Sequence, residues 1–136
     1  MIINEKNQLL LIFRKGKWDL PKGKVNNKVK LLSAAIDESI EETGLKKKHL
    51  RLLKPLKKSV SVKKNGIIYD YWFLFKYESK KIVFKPQINE GITECRWVNE
   101  KDIIKYYPFF RKYVCEVIRR YLKSISKSSK NLKNIA

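Results

Sequence analysis

The sequence has little of the side-chain chemistry on which many enzymes depend. Its 136 residues include two cysteines, Cys95 and Cys115, and one histidine, His49. Two thiols cannot form a four-cysteine zinc site, and we expect both to be free rather than joined in a disulfide. A single imidazole argues against a mechanism that needs a histidine-oriented nucleophile or several histidine ligands. Any catalysis must therefore depend on carboxylates, lysines or metal ions.

Long apolar runs are also missing. No stretch approaches the roughly 20 apolar residues that a membrane-spanning helix needs, and Glu5 and Lys6 interrupt the apolar start of the chain. The start is therefore not typical of a signal peptide, and we expect a cytoplasmic location without membrane association. The length predicts one domain, which we assign to residues 1–123, followed by a basic, disordered tail at residues 124–136.

Acidic residues are few, at 13 against 32 lysines and arginines, which gives a net charge of +19. Such a field favours polyanionic ligands such as nucleotides, phosphorylated metabolites and nucleic acids. Lysine supplies 26 of the 32 basic residues, however, and a lysine-rich composition is also typical of A/T-rich coding. The charge alone therefore leaves open whether the protein binds nucleic acid weakly through a basic surface.

The few acidic residues are unevenly placed. Four of them, Asp37, Glu38, Glu41 and Glu42, fall within six positions, and no lysine or arginine occurs from residue 31 to residue 45. Apolar residues recur around them at the spacing of one helix face, and Gly44 is typical of a helix C-terminus. The three glutamates then crowd one face, where hard oxygen ligands suit Mg²⁺ or Mn²⁺. The alternative is an ordinary solvated acidic face.

The segment upstream of this helix contains Pro21 and Gly23, which predict a loop leaving a strand at Leu9–Phe13. Gly23 permits close approach of the backbone to a ligand. Lys22 and Lys24 flank it and can meet phosphate oxygens. A basic glycine loop that leads into a carboxylate-bearing helix predicts a site for a metal ion and a diphosphate.

These two segments, GKWDLPKGKV and AAIDESIEETGL, together resemble the signature of the Nudix hydrolase family. The signature begins at Gly23 and ends at Leu45, and the resemblance extends over about residues 2 to 105. The matching signature positions are Gly23, Glu38, Glu41, Glu42, Gly44 and Leu45. Three positions depart from it: Val29 replaces a glutamate, Asp37 replaces an arginine and Ser39 replaces an apolar residue.

The resemblance implies an α/β fold, a Nudix-like α/β/α sandwich with a mixed, twisted sheet. It also implies Mg²⁺-dependent, or Mn²⁺-dependent, hydrolysis of the diphosphate bridge of a nucleoside diphosphate linked to another moiety. In this interpretation Glu38, Glu41 and Glu42 bind metal, Glu38 and Glu41 are catalytic, and Gly23 offers its carbonyl oxygen. Arg14, Lys22 and Lys24 would bind substrate phosphates.

Family members often supply one further glutamate from a position far from the signature. Glu90, in a loop, and Glu94, at the start of a strand, are the two candidates here. We favour Glu90 as the additional metal ligand because it lies in the loop.

Two other functions remain open from the sequence. The departures at Val29 and Asp37, together with the charge, are also compatible with a catalytically weak or inactive module that binds nucleotides or nucleic acid. The basic surface is compatible with a pyrophosphohydrolase that acts on RNA 5′ ends. The sequence predicts neither the substrate nor the oligomeric state.

The remainder of the chain predicts further elements of the sheet and its covering helices. Asn65-Gly66 is typical of a hairpin, which would lead into a central strand at Ile67–Tyr77. Ile82–Phe84 and Ile92–Val98 are expected strands. Asn99 is expected to cap a helix that runs to Lys105, and Pro108 to open the C-terminal helix.

Overall fold

The computed structural model describes residues 1–21 and 31–135, with side chains up to residue 126. The strands are β1 (Ile2–Asn4), β2 (Leu9–Arg14), β3 (Lys17–Asp19), β4 (Leu50–Lys63), β5 (Gly66–Tyr77) and β6 (Ile92–Val98). The α-helices are α1 (Leu31–Thr43), α2 (Glu100–Ile103) and α3 (Lys112–Ile135). Short 3₁₀ helices lie at Lys47–His49, Ile88–Glu90 and Ile104–Phe109.

The six strands form one mixed sheet in the order β3-β2-β1-β5-β4, and β6 pairs with β2. The pair β1 and β5 is parallel, and the other described pairs are antiparallel. The strand β5 lies between β1 and β4, as the sequence predicts. The predicted hairpin is present, but Lys63 pairs with Gly66, so that its turn lies at residues 64–65, one position earlier than Asn65-Gly66.

Alternation along β2 divides the core into two layers. Leu9 and Leu11 belong to a buried cluster on one face of the sheet that includes Val114 and Ile118 of α3. Leu10, between them, belongs to the cluster on the other face, against which Ala35 and Ile36 of α1 pack. Successive side chains of a strand point to opposite faces, so β2 is covered on both sides. This is the predicted α/β/α sandwich. No helix among the described residues is long and apolar enough to cross a bilayer.

The strand expected at Ile82–Phe84 is not formed, and the correction has a physical reason. The backbone that follows it is hydrogen-bonded to the end of α1. The amide of Lys85 donates to the carbonyl oxygen of Thr43 at 2.9 Å, and that of Gln87 donates to Glu42 at 3.2 Å. Ile82 and Phe84 contribute apolar contacts to the cluster beneath α1. The segment therefore donates hydrogen bonds to carbonyl oxygens at the end of a helix, which have no partner within the helix, and does not pair with the edge of the sheet.

The C-terminal elements differ from the prediction at their boundaries. Pro108 lies inside the 3₁₀ helix Ile104–Phe109, and α3 begins only at Lys112. Asn99 precedes α2, but its side chain forms no cap and instead accepts a hydrogen bond from Gln8. Helix α3 continues to Ile135 through the stretch predicted to be a disordered tail, because no proline or glycine interrupts it. The domain boundary at residue 123 stays a prediction.

Gly44 follows the end of α1 and packs against the segment that follows β5, and its replacement by alanine is expected to destabilise the fold by about 2 kcal/mol. Its φ is +77°, and a Cβ there would lie 2.7 Å from the backbone nitrogen of Lys85. Gly16 is the matched control, because its φ is +80° but an added Cβ would meet no atom within 4 Å. Gly16→Ala should cost about 1 kcal/mol, as measured by urea unfolding. Equal losses in the two variants would contradict the close contact at Gly44.

Candidate active site

A cavity of about 550 Å³ lies where α1, the end of β2, the 3₁₀ helix Ile88–Glu90 and the start of α3 meet. Its acidic lining residues are Glu38, Glu41, Glu42 and Glu90, and its basic ones are Arg14, Lys15, Lys63 and Arg111. Gln87 and Tyr113 complete the lining. Because nearly every lining side chain is charged or polar, the cavity suits a highly charged ligand rather than an apolar one.

The four glutamates reach the cavity from two separate parts of the chain. Glu38, Glu41 and Glu42 lie on one face of α1, and Glu90 comes from the loop before β6. Glu42 is buried, with its side chain 5% exposed, whereas Glu41 is exposed. Burial raises the pKa of Glu38, and the negative charges of Glu41, Glu90 and Asp37 raise it further. The carboxylates are therefore close enough to repel one another.

A divalent cation fits this donor set by its chemistry. Carboxylate oxygens are the preferred ligands of Mg²⁺ and Mn²⁺, and a cation would offset the repulsion that raises the pKa of Glu38. Among the described residues, however, no three His, Cys, Asp or Glu side chains lie close enough to hold a metal ion as they stand. Mg²⁺ usually needs only one or two carboxylates and completes its coordination with water, so the donor set still suits it.

The two candidates for the additional glutamate lie in different surroundings. Glu90 lines the cavity. Glu94 is opposite Phe13 in the β2–β6 pairing, does not line the cavity, and forms an ion pair with Arg96 at 2.5 Å. The guanidinium of Arg96 in turn lies 4.8 Å from the centre of the Trp18 ring. Glu90 therefore stays the predicted metal ligand.

A buried carboxylate, Asp19, organises the opposite wall. Its side chain is fully buried and lies 2.8 Å from Nη2 of Arg14. The Tyr113 hydroxyl lies 2.6 and 2.8 Å from its two carboxylate oxygens. Nε of Arg111 is 3.3 Å away, close enough for an ion pair although its N–H is not aligned for a hydrogen bond. A buried carboxylate needs such polar partners, and Arg14, Arg111 and Tyr113 supply them.

Arg14 connects this network to the carboxylates of α1. Its other terminal nitrogen, Nη1, lies 3.9 Å from Oε1 of Glu42. Burial lowers the pKa of Arg14, but the hydrogen bond and charge of Asp19, with the charge of Glu42, outweigh it and raise the pKa. Arg14 lines the cavity, as expected for the predicted phosphate ligand, but protein carboxylates already contact both of its terminal nitrogens.

The β2–β3 hairpin positions these groups. The sequence predicts a loop that leaves the strand at Leu9–Phe13, but Lys17–Asp19 forms a further strand, β3, which pairs with the end of β2 and brings Asp19 beside Arg14. The turn uses positive φ angles at Lys15 and Gly16. The Lys15 amide donates to the carbonyl oxygen of Gly91, next to Glu90. The hairpin thus places Arg14 beside Glu42 of α1 and Lys15 beside the loop that carries Glu90, at one cavity.

The sequence did not predict five residues of the site: Asp19, Lys63, Gln87, Arg111 and Tyr113. Asp19 is part of the motif that carries the family resemblance, but the motif gave no indication that two arginines would surround it. Arg111 and Tyr113 lie more than 90 positions further along the chain and have no local pattern. The predicted site residues Lys22, Gly23 and Lys24, and the departure at Val29, lie outside the described residues.

Cys95 lies on β6 behind the glutamates, but it is not suited to act as a nucleophile. Burial raises the pKa of its thiol to about 12, with contributions from the charges of Glu42 and Glu94. The reactive form of cysteine is the thiolate, which is nearly absent at pH 7.

Glu38→Gln is expected to stabilise the metal-free protein slightly at pH 7, by at most about 0.5 kcal/mol for a partly exposed group. A carboxyl whose pKa is raised by folding costs stability above that pKa and recovers it as the pH falls through it. The advantage of the variant should therefore vanish in acid. Thermal unfolding with and without Mg²⁺ checks this: wild type should gain more from Mg²⁺ than the variant. An equal gain would contradict a role for Glu38 in metal binding.

Comparison with known proteins agrees with this geometry. Residues 1–117 match the sequence model of the NUDIX domain. The fold resembles a C. elegans Ap4A hydrolase binary complex, with a TM-score of 0.72 and 19% identity over 93% of each chain.

Two further solved structures share the fold with similar TM-scores and sequence identities. A MutT protein from Methanosarcina mazei Go1 has a TM-score of 0.63 and 22% identity, over 91% of this chain and 89% of that one. The NUDIX domain of Shewanella oneidensis NrtR, complexed with ADP ribose, has a TM-score of 0.60 and 16% identity, over 91% and 83%. The sequence match covers most of the chain, and the chain belongs to the NUDIX domain family.

Proposed function

We propose that the protein is a metal-dependent hydrolase that cleaves the diphosphate bridge of a nucleoside diphosphate linked to another moiety. The observation that carries the proposal is the convergence of Glu38, Glu41, Glu42 and Glu90 with Arg14 on one polar cavity, in a chain of the NUDIX family. Water attacks one phosphorus of the bridge, the bond from that phosphorus to the bridging oxygen breaks, and two phosphate-bearing products leave.

The residues of the cavity divide this task by charge. Glu38, Glu41, Glu42 and Glu90 would hold Mg²⁺ or Mn²⁺, which supplies charge neutralisation at the bridge oxygens and lowers the pKa of water. Glu41 is exposed at the cavity, and in this proposal it accepts a proton from the attacking water, with Glu38 beside it. Three other basic residues line the cavity and form no ion pair with a glutamate among the described contacts: Lys15, Lys63 and Arg111. We assign them to the phosphate oxygens of the substrate.

The neighbours suggest which substrates to test first. One similar structure is an Ap4A hydrolase, and another holds ADP ribose. The test incubates the purified chain with Ap4A, ADP ribose, other nucleoside diphosphate derivatives and 5′-triphosphate RNA, at about 5 mM Mg²⁺ or Mn²⁺. We expect turnover only with metal. No turnover on any substrate, from a folded chain that binds Mn²⁺, would instead favour a nucleotide-binding module.

Glu90→Gln and Glu94→Gln form a matched pair for the additional metal ligand. Both variants remove one carboxylate charge from the same stretch of chain, but only Glu90 lines the cavity. Glu90→Gln is expected to weaken Mn²⁺ binding and turnover about 10-fold to 100-fold, whereas Glu94→Gln should change either by less than about threefold. The opposite order would assign the role to Glu94.

A further inference from the structure

A second large cavity, of about 750 Å³, lies beyond the end of α1 and is lined by positive charge. Lys46 follows the helix end, His49 ends the next 3₁₀ helix, and Lys80, Lys81 and Lys85 come from the segment after β5. None of its described lining residues is an aspartate or a glutamate. We call this the basic cavity. It is separate from the cavity that holds the four glutamates.

Within the part of the chain that the structure describes, no carboxylate pairs with the four lysines of the basic cavity. The acidic residue nearest in sequence, Glu78, is 2.8 Å from Arg51 and is held there by a hydrogen bond from Nε of Arg51. Like charges brought together without counter-charges repel one another, so an anion bound between these lysines would be stabilising.

The walls of the basic cavity are closely tied together. The Lys46 amide donates a hydrogen bond to the hydroxyl of Tyr77 at the end of β5. The amide of Glu78 donates to the carbonyl oxygen of His49. Gly44 packs so tightly against the Lys85 backbone that an added Cβ would lie 2.7 Å from it. The backbone beneath the lysines is therefore held by the fold, while the exposed ammonium groups remain free to follow a ligand.

The basic cavity also adjoins the cavity of the glutamates. Lys85 lines the former and Gln87 lines the latter, and the Cα atoms of residues two apart are separated by at most about 7 Å. The end of α1 contributes to both cavities as well, because Glu42 lines the glutamate cavity and Gly44 lines the basic cavity. The two cavities therefore share a wall, formed by the end of α1 and the segment hydrogen-bonded to it, and a strand several nucleotides long would pass over this wall to reach both.

We propose that the basic cavity binds the phosphodiester backbone of a single-stranded nucleic acid whose 5′ phosphates enter the glutamate cavity, an assignment of substrate class that rests on the proposed function. Several lysines spread around an open cavity suit successive phosphates of a strand better than one small anion, since each offers a separate mobile donor. No base-specific contact is needed, and binding is governed by charge.

The test measures the affinity of a fluorescent single-stranded RNA of about 12 nucleotides, with a 5′-hydroxyl end so that no hydrolysis occurs. Each phosphate contact to a single strand contributes about 0.7 to the slope of log affinity against log salt. Replacing Lys46, Lys80, Lys81 and Lys85 together with glutamine should reduce the slope by about 3 and the affinity at about 0.1 M salt by 30-fold or more. The matched control replaces four exposed lysines elsewhere, Lys6, Lys57, Lys101 and Lys123.

The control variant and the cavity variant have the same net charge, so any difference between them reports where the lysines lie. If the basic cavity is the site, the control variant should lose less than about threefold in affinity for RNA. Equal losses in both variants would overturn the proposal, because binding would then reflect overall charge. So would retention of affinity in the cavity variant. Hydrolysis of Ap4A is measured in parallel and should be unchanged by either set. Failure of wild type to hydrolyse any substrate would refute the proposed function, while the RNA-binding comparison would still decide whether the cavity binds a strand.

Discussion

Replacing Glu41 with glutamine is expected to lower metal-dependent turnover by about 100-fold to 10,000-fold, the range for loss of a group that transfers a proton in the transition state. Glu41 lines the glutamate cavity and is exposed to solvent. Its charge contributes to the raised pKa of Glu38. The amide keeps the size of the side chain but neither binds a cation well nor accepts the proton of water.

The matched control for this variant is Asp37→Asn. Asp37 lies one turn earlier on the same helix and loses the same charge, but it does not line the cavity. We expect it to keep turnover within about threefold and both variants to keep the free energy of unfolding within about 0.5 kcal/mol, as is usual for exposed positions. Retained turnover in Glu41→Gln would remove Glu41 from the mechanism. An equal loss in both would mean that the charge of the helix acts, rather than one residue.

Asp19→Asn is expected to produce the largest loss of stability, about 3 kcal/mol in the free energy of unfolding. Removing one partner of a buried ion pair leaves the other charge poorly compensated. Arg14 would keep only its 3.9 Å contact with Glu42, and Arg111 would lose its ion pair with Asp19. The Tyr113 hydroxyl would lose the charged acceptor to which it now donates. Urea unfolding followed by tryptophan fluorescence measures the change.

Two control variants distinguish the loss of the buried Asp19 charge from the loss of a single hydrogen bond and from the loss of an exposed ion pair. Tyr113→Phe removes one hydrogen bond to Asp19 and should cost about 1.5 kcal/mol. Glu94→Gln breaks a carboxylate–arginine pair whose side chains are 46% and 43% exposed, and it should cost less than about 1 kcal/mol. If Asp19→Asn cost no more than Glu94→Gln, Asp19 would not be the centre of the network. The Asp19 variant should also lower turnover, because Arg14 would no longer be held beside Glu42.

The sequence predicted the layers of the fold and the helix that carries the glutamates, because both depend on local periodicity. The apolar residues of α1 recur at helical spacing, and the β2 run Leu9–Phe13 is apolar throughout because the sheet is covered on both sides. The helix end at Gly44 was also predicted, because the residue after a helix often needs the positive φ that glycine adopts easily, and φ of Gly44 is positive.

The parts that the sequence did not predict depend on contacts between distant segments. Ile82–Phe84 has the composition of a strand, but the backbone beside it bonds to the end of α1. Arg14 was expected to bind phosphate, and only the fold reveals that Asp19 and Glu42 contact its two terminal nitrogens. The basic cavity gathers lysines from two separate segments, and no spacing along the chain indicates that they meet.

Hydrolysis in ¹⁸O-labelled water tests the central claim most directly. The measurement follows Ap4A and the other nucleoside diphosphate derivatives by mass spectrometry, with and without Mg²⁺, for wild type and Glu41→Gln. We predict that metal-dependent cleavage places one ¹⁸O atom in one of two phosphate-bearing products, and that Glu41→Gln slows this labelling by at least about 100-fold. Absence of labelled product from folded, Mn²⁺-binding wild type, or label released only as inorganic phosphate, would contradict attack of water at the diphosphate bridge.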